Sequence, residues 1–270
     1  MSILSRLAPQ DDDLEEVLKT MNKPVGSMHY DPWGFNKDTN HAAVALFKWM
    51  YERYFRVEAT GLDNIPASGR CLLIGNHSGQ LPIDAMLLGY AVATNPHGPR
   101  APRAMIERFF PSVPFLGNLM NQIGAVVGDP INCRKLLENE EAILVFPEGI
   151  RGAGKPFSKR YQLQRFGSGF MHLAMEHQAP VVPVGIVGCE ESVPTPAHSK
   201  LLARGLGLPY FPLTLPVVLP TRVRIHVGEP LYFPNDDVSE AQVSQYVDQV
   251  KDAIREQLST GLENRKGVFQ

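Results

Sequence analysis

Cysteine is scarce in this chain: Cys71, Cys133 and Cys189 are scattered, odd in number and in no C-x-x-C arrangement. That excludes a disulfide framework, speaks against a zinc site and fits a reducing cytosol. Long apolar runs are missing too. The nearest candidate for a membrane span, 205–220, is broken by Pro209, Pro212 and Pro216 and cannot form a continuous helix. With a net charge of −2 the chain has no general attraction for nucleic acid, so any anionic partner must be held by a local patch. The N-terminus turns acidic at Asp11-Asp12-Asp13 before any apolar core forms, which is the pattern of neither a signal peptide nor a transit peptide. There is no internal repeat, low-complexity tract or clear linker.

Several nucleophile and nucleotide motifs are also absent. No G-x-S-x-G occurs, and the fragment Gly167-Ser168-Gly169 does not follow a strand. The stretch from Gly149 to Lys155 has the spacing of a Walker loop, but Pro156 stands where the Mg²⁺-binding Ser or Thr would be and lacks the N–H that phosphate needs. Cys189 follows a strand and could act as a thiol nucleophile, although a lone small residue there is more often structural.

What is present is the composition of an ordinary globular protein, 270 residues long and 44% hydrophobic. Residues 1–40 read as an N-terminal arm with little regular structure, packing through the aromatics of Tyr30-Asp31-Pro32-Trp33-Gly34-Phe35. Residues 41–270 read as one domain. It opens with an amphipathic helix over 41–54, where Ala43, Leu46, Phe47, Met50, Tyr51 and Tyr54 recur at helical spacing and suit closure over a core. Strands are expected at 56–60, 71–75, 103–106, 124–127, 142–146, 179–187 and 222–227. Helices are expected at 83–91, 114–122, 131–140, 169–177 and 238–258. That alternation predicts an α/β fold with a mostly parallel central sheet flanked by helices.

Two strand ends carry the chemistry. Asn76-His77 leaves the buried run 71–75, and Asp84 falls in the first turn of the next helix, after Pro82. His77 can take a proton near neutral pH, and a carboxylate within reach can orient it; the same residues would also suit a surface histidine and a favourable first-turn charge. The second end is Phe146-Pro147-Glu148-Gly149-Ile150-Arg151. From Gly149 to Met175 there is no Asp or Glu, yet Arg151, Lys155, Lys159, Arg160 and Arg165 are all there. Such a loop is suited to phosphate or an anionic headgroup.

Taken together, these blocks make the chain resemble the glycerolipid and lysophospholipid acyltransferase superfamily, which includes 1-acylglycerol-3-phosphate acyltransferase. The resemblance covers roughly residues 55–230. Four ordered blocks carry it: Asn76-His77 with a following Asp, Gly124-Ala125-Val126-Val127, Phe146 to Arg151, and Val181-Val182-Pro183-Val184. It implies that His77 and Asp84 are catalytic and that third-block residues, Glu148, Gly149 and Arg151 among them, hold substrate, to which the basic-loop reading adds Lys155, Lys159 and Arg160 as expected substrate ligands. It further implies transfer of a fatty acyl group from acyl-CoA or acyl carrier protein to a lysophospholipid hydroxyl, with no metal or further cofactor. The oxyanion is expected to meet backbone N–H groups around Ser78 to Gln80. A cytoplasmic chain docking peripherally on the inner face of a membrane fits this, with 41–54 and 206–220 as candidate docking segments.

Two features depart from the family pattern. Six residues separate His77 from Asp84 where four are usual, in a form similar to the monoacylglycerol acyltransferase branch. At the end of the second block, Pro130 replaces the arginine that grips glycerol phosphate, and Arg134, one helical turn on, is the candidate replacement. A neutral alcohol acceptor, or a catalytically silent lipid-binding protein, remains the alternative.

Overall fold

The computed structural model describes residues 12–20, 26, 28–79, 81–108, 110, 115–195, 197–198, 212–213, 217–236 and 238–269. Helix α1 (Asp12–Lys19) precedes α2 (Lys37–Trp49), which runs into a π-turn at Met50–Tyr54. Then follow β1 (Glu58–Thr60), β2 (Cys71–Gly75), α3 (Ile83–Ala93), β3 (Arg103–Ile106), α4 (Leu116–Gln122) and β4 (Val126–Val127). The second half comprises α5 (Pro130–Glu138), β5 (Ala142–Val145), α6 (Ile150–Ala153), α7 (Gly169–His177), β6 (Val181–Val187), α8 (Cys189–Ser192), β7 (Ala197–His198), β8 (Pro212–Leu213), β9 (Arg224–Val227) and α9 (Glu240–Glu263).

Seven strands form one sheet in the order β1-β9-β6-β2-β5-β3-β4, while β7 and β8 pair separately. The strands from β6 to β4 are mutually parallel; β9 runs antiparallel to β6, and β1 lies parallel to β9 at the edge. The expected α/β architecture is therefore present, with a reversed pair on one side.

The central strands are buried on both faces, which is why they read as continuous apolar runs. Side chains alternate. Leu72 and Ile74 meet Leu136, Met171, Val250 and Ile254 from α5, α7 and α9, whereas Cys71 and Leu73 meet Leu87 and Leu88 of α3. Helix α9 lies so close to β6 that a Cβ on Gly185 would fall 2.8 Å from the Gln257 backbone.

The expected irregular arm is a correction. It contains α1, whose Leu14 and Leu18 join Phe35, Val44 and Tyr90 in a third apolar cluster. Helix α2 begins before residue 41 because the Asn36 side chain accepts from Thr39 N–H at 2.9 Å, an N-cap. The arm's aromatics pack as expected: Arg103, fully buried, is paired with Asp31 and Glu141 and lies 5.0 Å and 5.5 Å from the Phe35 and Trp33 ring centroids. Of 206–220, proposed for docking, only 212–213 and 217–220 lie within the described residues.

Candidate active site

Strands β6, β2 and β5 are neighbours at the centre of the sheet and point the same way, so the residues after their C-terminal ends converge. Asn76 pins this edge: its side chain accepts from Ile186 N–H at 2.8 Å and donates to Ile186 C=O at 3.0 Å, extending the β2–β6 ladder. The next residue is His77. Its Nδ1 lies 2.7 Å from Asp84 Oδ2, and its ring stacks on Phe146 with centroids 4.9 Å apart.

Asp84 is fully buried, and its carboxylate is surrounded by donors. Oδ2 accepts from Ser78 N–H at 2.8 Å besides the imidazole, and Oδ1 accepts from Ala85 N–H at 2.7 Å. The loop of six residues therefore folds back far enough for the usual histidine–carboxylate contact. With Nδ1–H donating to Asp84, Nε2 carries the lone pair that can receive a proton. Burial pulls the His77 pKa down, but the charge and hydrogen bond of Asp84, helped by Glu148, outweigh it; the net result lies above the ordinary 6.5.

Glu148 supports His77 from the other side. Its Oε1 accepts the His77 backbone N–H at 2.9 Å, and its Oε2 accepts Gln164 N–H at 2.8 Å. Gly152 on α6 presses against both: a Cβ there would fall 2.6 Å from Glu148 Cβ and 2.9 Å from His77 Cβ.

The basic loop divides into two groups. Lys155 is buried, 3.0 Å from Glu190 Oε1 and 3.4 Å from Glu148 Oε2. Arg160 Nε lies 3.9 Å from Glu191. Among the described residues, Arg151, Lys159 and Arg165 have no carboxylate in ion-pair contact. A cavity of about 680 Å³ runs along the loop, with buried Glu148 and Lys155 on its wall beside exposed Arg151 and Lys159, and with Gly149 and Glu107. A second cavity, of about 550 Å³, shares Arg151 and Gly167 with the first and reaches Arg165, Ser168 and Lys251 on the α9 side.

Several expected site residues lie differently from the sequence reading. Arg134 does not join the site: its guanidinium is held by both carboxylate oxygens of Glu176, at 3.0 Å and 2.9 Å, on the exposed faces of α5 and α7. Pro130 has a local reason, being the first residue of α5 behind the Asp129 N-cap. Glu148 and Lys155 line the cavity as paired groups, Glu148 on the His77 backbone N–H and Lys155 between Glu148 and Glu190, and not as free charges. Ser78 N–H is spent on Asp84, so it is not a free oxyanion donor; Gly79 N–H is unpaired among the described residues, and Gln80 lies outside them. Cys189 is buried, and burial raises its thiol well above the usual range, which removes it as a nucleophile. Asn76 and Phe146 entered the sequence reading only as members of motif blocks, with no role of their own, and Gly152, Glu190 and Glu191 were assigned none. The last two were detectable as an acidic pair directly after the strongest strand run.

Comparison with known proteins gives consistent results. An acyltransferase family model matches residues 56–187. An uncharacterized protein of Mycobacterium tuberculosis is 36% identical over 260 residues, covering 91% of this chain and 73% of its own. The chloroplastic 1-acyl-sn-glycerol-3-phosphate acyltransferase BAT2 of Brassica napus is 26% identical over 160 residues, which is 55% of this chain and 42% of that protein. Among solved structures, the 1-acyl-sn-glycerophosphate (LPA) acyltransferase PlsC of Thermotoga maritima matches with a TM-score of 0.55 at 19% identity, over 97% of this chain and 87% of that one, a likeness of fold.

Proposed function

Because this chain belongs to the acyltransferase family, we propose that it moves a fatty acyl group from acyl-CoA or acyl carrier protein to the hydroxyl of a lysophospholipid or similar glycerolipid, with His77 as general base. The observation that carries this reading is the 2.7 Å contact between His77 Nδ1 and a fully buried Asp84. Nε2 takes the acceptor's hydroxyl proton as its oxygen attacks the thioester carbonyl. Asp84 stabilises the imidazolium. The tetrahedral intermediate collapses, the C–S bond breaks, and the imidazolium returns its proton to the departing thiolate. One ester and one free thiol result. The Gly79 N–H, unpaired among the described residues, is a candidate donor to the oxyanion. No covalent enzyme intermediate is needed, since the one thiol in this neighbourhood is buried and protonated.

The two adjoining cavities have mixed linings, Arg151, Arg165 and Lys251 with Glu240 and Asp248 in one, and Arg151 and Lys159 with Glu107 and the paired Glu148 and Lys155 in the other. Arg151, shared by both, is the cation best placed for an anionic part of a substrate. Among the described residues no helix is long and apolar enough to cross a membrane. Exposed Trp49, Leu81, Ile150 and Phe157 suit contact with a bilayer surface, where a lipid acceptor is met.

A second reading of the acceptor has a specific basis. Pro130 occupies the arginine position, Arg134 is tied to Glu176, and Lys155 and Arg160 face carboxylates of their own. This leaves fewer cations for an acceptor phosphate and favours a neutral alcohol such as a monoacylglycerol. Thiol release from a long-chain acyl-CoA, measured in parallel with lysophosphatidic acid and with a monoacylglycerol, decides between them. The primary reading expects release dependent on lysophosphatidic acid; release only with monoacylglycerol supports the second, and release with neither acceptor from either carrier contradicts both.

A further inference from the structure

In the sequence Lys155 looks like a phosphate ligand, yet in the fold it is enclosed. Its side chain is only 3% exposed, and its ammonium sits between Glu190 Oε1 at 3.0 Å and Glu148 Oε2 at 3.4 Å. Leaving both partners to meet a substrate would strand two buried carboxylates, and unpaired buried charge is strongly disfavoured. Glu148 has its other oxygen on the backbone N–H of His77 at 2.9 Å. The order Glu190, Lys155, Glu148, His77 is thus an unbroken line of contacts from the end of β6 to the base at the end of β2.

Resting on the reading of His77 as the base, we propose that Lys155 is a positioning residue for it: clamped on Glu190, it holds Glu148, which fixes the backbone on which the imidazole is mounted. The clamp has its own support. Glu190 Oε2 accepts Tyr161 N–H at 3.0 Å, and the Tyr161 hydroxyl accepts Gly188 N–H at 2.8 Å and bonds Glu191. Arg265, beyond the end of α9, closes the line on Glu191 at 2.8 Å, with its guanidinium 5.8 Å from the Tyr161 ring centroid.

Position also gives Lys155 an electrostatic part. The charged groups acting on His77 are Asp84 from α3, on its ring, and Glu148, on its backbone N–H, both favouring the imidazolium, and Lys155, paired with Glu148, opposing it. Around these, Cys189 stays neutral through burial, and Glu107 lies next to Gly149 at the cavity wall. Burial raises Glu190 to about 7 even with Lys155 and the Tyr161 N–H pulling it down, so without the lysine this carboxyl would be held protonated well above the ordinary carboxyl range.

The test compares wild type, Lys155→Met and Lys155→Met/Glu190→Gln in the full chain, reading kcat and KM across the histidine titration range together with Tm. A positioning role predicts that Lys155→Met lowers kcat by about tenfold to a hundredfold, the scale of a misplaced catalytic group, with little change in KM for a phosphorylated acceptor. It also predicts that the acidic limb of kcat moves to higher pH, because the cation opposing protonation of His77 is gone. With the lysine gone, buried Glu190 must take up a proton well above the ordinary carboxyl range, which costs stability; the double variant removes that cost, so it should regain Tm while keeping the displaced limb. A raised KM with unchanged kcat and pH profile would make Lys155 a substrate ligand and overturn the proposal. Recovery of both Tm and pH profile in the double variant would reduce the clamp to a purely structural pair and overturn it as well. A wild type lacking any acidic limb would instead overturn the His77 reading itself.

Discussion

Asp84 Oδ2 receives both the imidazole Nδ1 of His77, at 2.7 Å, and the backbone N–H of Ser78, at 2.8 Å, so one buried oxygen fixes the ring and the turn that carries it. Replacing this carboxylate by an amide keeps the shape and removes the charge. Asp84→Asn is expected to lower kcat by about 10²–10⁴-fold, the usual contribution of an oriented general base. The pH profile has a definite sign. In the wild type the base form appears as pH rises through a pKa above 6.5, held up by Asp84 against burial. Without that charge, burial and Lys155 pull the pKa down, so the acidic limb of kcat should move to lower pH, opposite to Lys155→Met. A limb that stays in place would separate the measured ionisation from this histidine.

Gly152 is required by a close approach. With a Cβ there falling 2.6 Å from Glu148 Cβ and 2.9 Å from His77 Cβ, Gly152→Ala must push one of them away. Overpacking of this kind costs about 1–3 kcal/mol, so a lowered Tm accompanied by a fall in kcat is expected. Gly169→Ala serves as the control, because a Cβ there meets nothing within 4 Å and the residue lines neither cavity.

Arg151 and Arg134 should separate cleanly. Arg151 borders both cavities without a carboxylate partner among the described residues, whereas Arg134 is engaged by Glu176. With the acceptor that supports turnover, or with acyl-CoA, Arg151→Ala should raise KM by about tenfold or more, as loss of a charge-assisted hydrogen bond predicts. Arg134→Ala should leave both KM values near wild type. Steady-state kinetics with each substrate varied in turn checks this.

Trp49 offers a direct reading of surface docking. It is 60% exposed beside the π-turn, while Trp33, the chain's other tryptophan, packs against the core. Anionic vesicles should shift the emission to shorter wavelength, and Trp49→Phe should abolish that shift. An unchanged spectrum in the wild type would place the docking face elsewhere.

Much of this architecture could be read from the sequence because its central strands are buried on both faces: Cys71 to Gly75 and Val181 to Val187 appear as uninterrupted apolar runs. His77 and Glu148 stand directly after such runs, so their convergence needed only a parallel sheet. The reversed direction of β9 was not legible, since burial on two faces is the same for either direction. Helix α1 was hidden because acidic Asp12, Asp13 and Glu15 surround the two leucines that anchor it. The basic loop was misjudged for a related reason. Counting charges from Gly149 to Met175 found no acid, but Lys155 pairs with Glu148, just before that stretch, and with Glu190, 35 residues away. Sequence proximity shows which charges are near along the chain; only the fold shows which neutralise one another.

The central claim is most directly tested by thiol release from a long-chain acyl-CoA, with lysophosphatidic acid and a monoacylglycerol each supplied, comparing wild type with His77→Ala of equal Tm and secondary structure. The account predicts acceptor-dependent release by the wild type and, in the variant, a loss of about 10²–10⁴-fold in kcat with acceptor binding retained. Equal rates in the two proteins would contradict it.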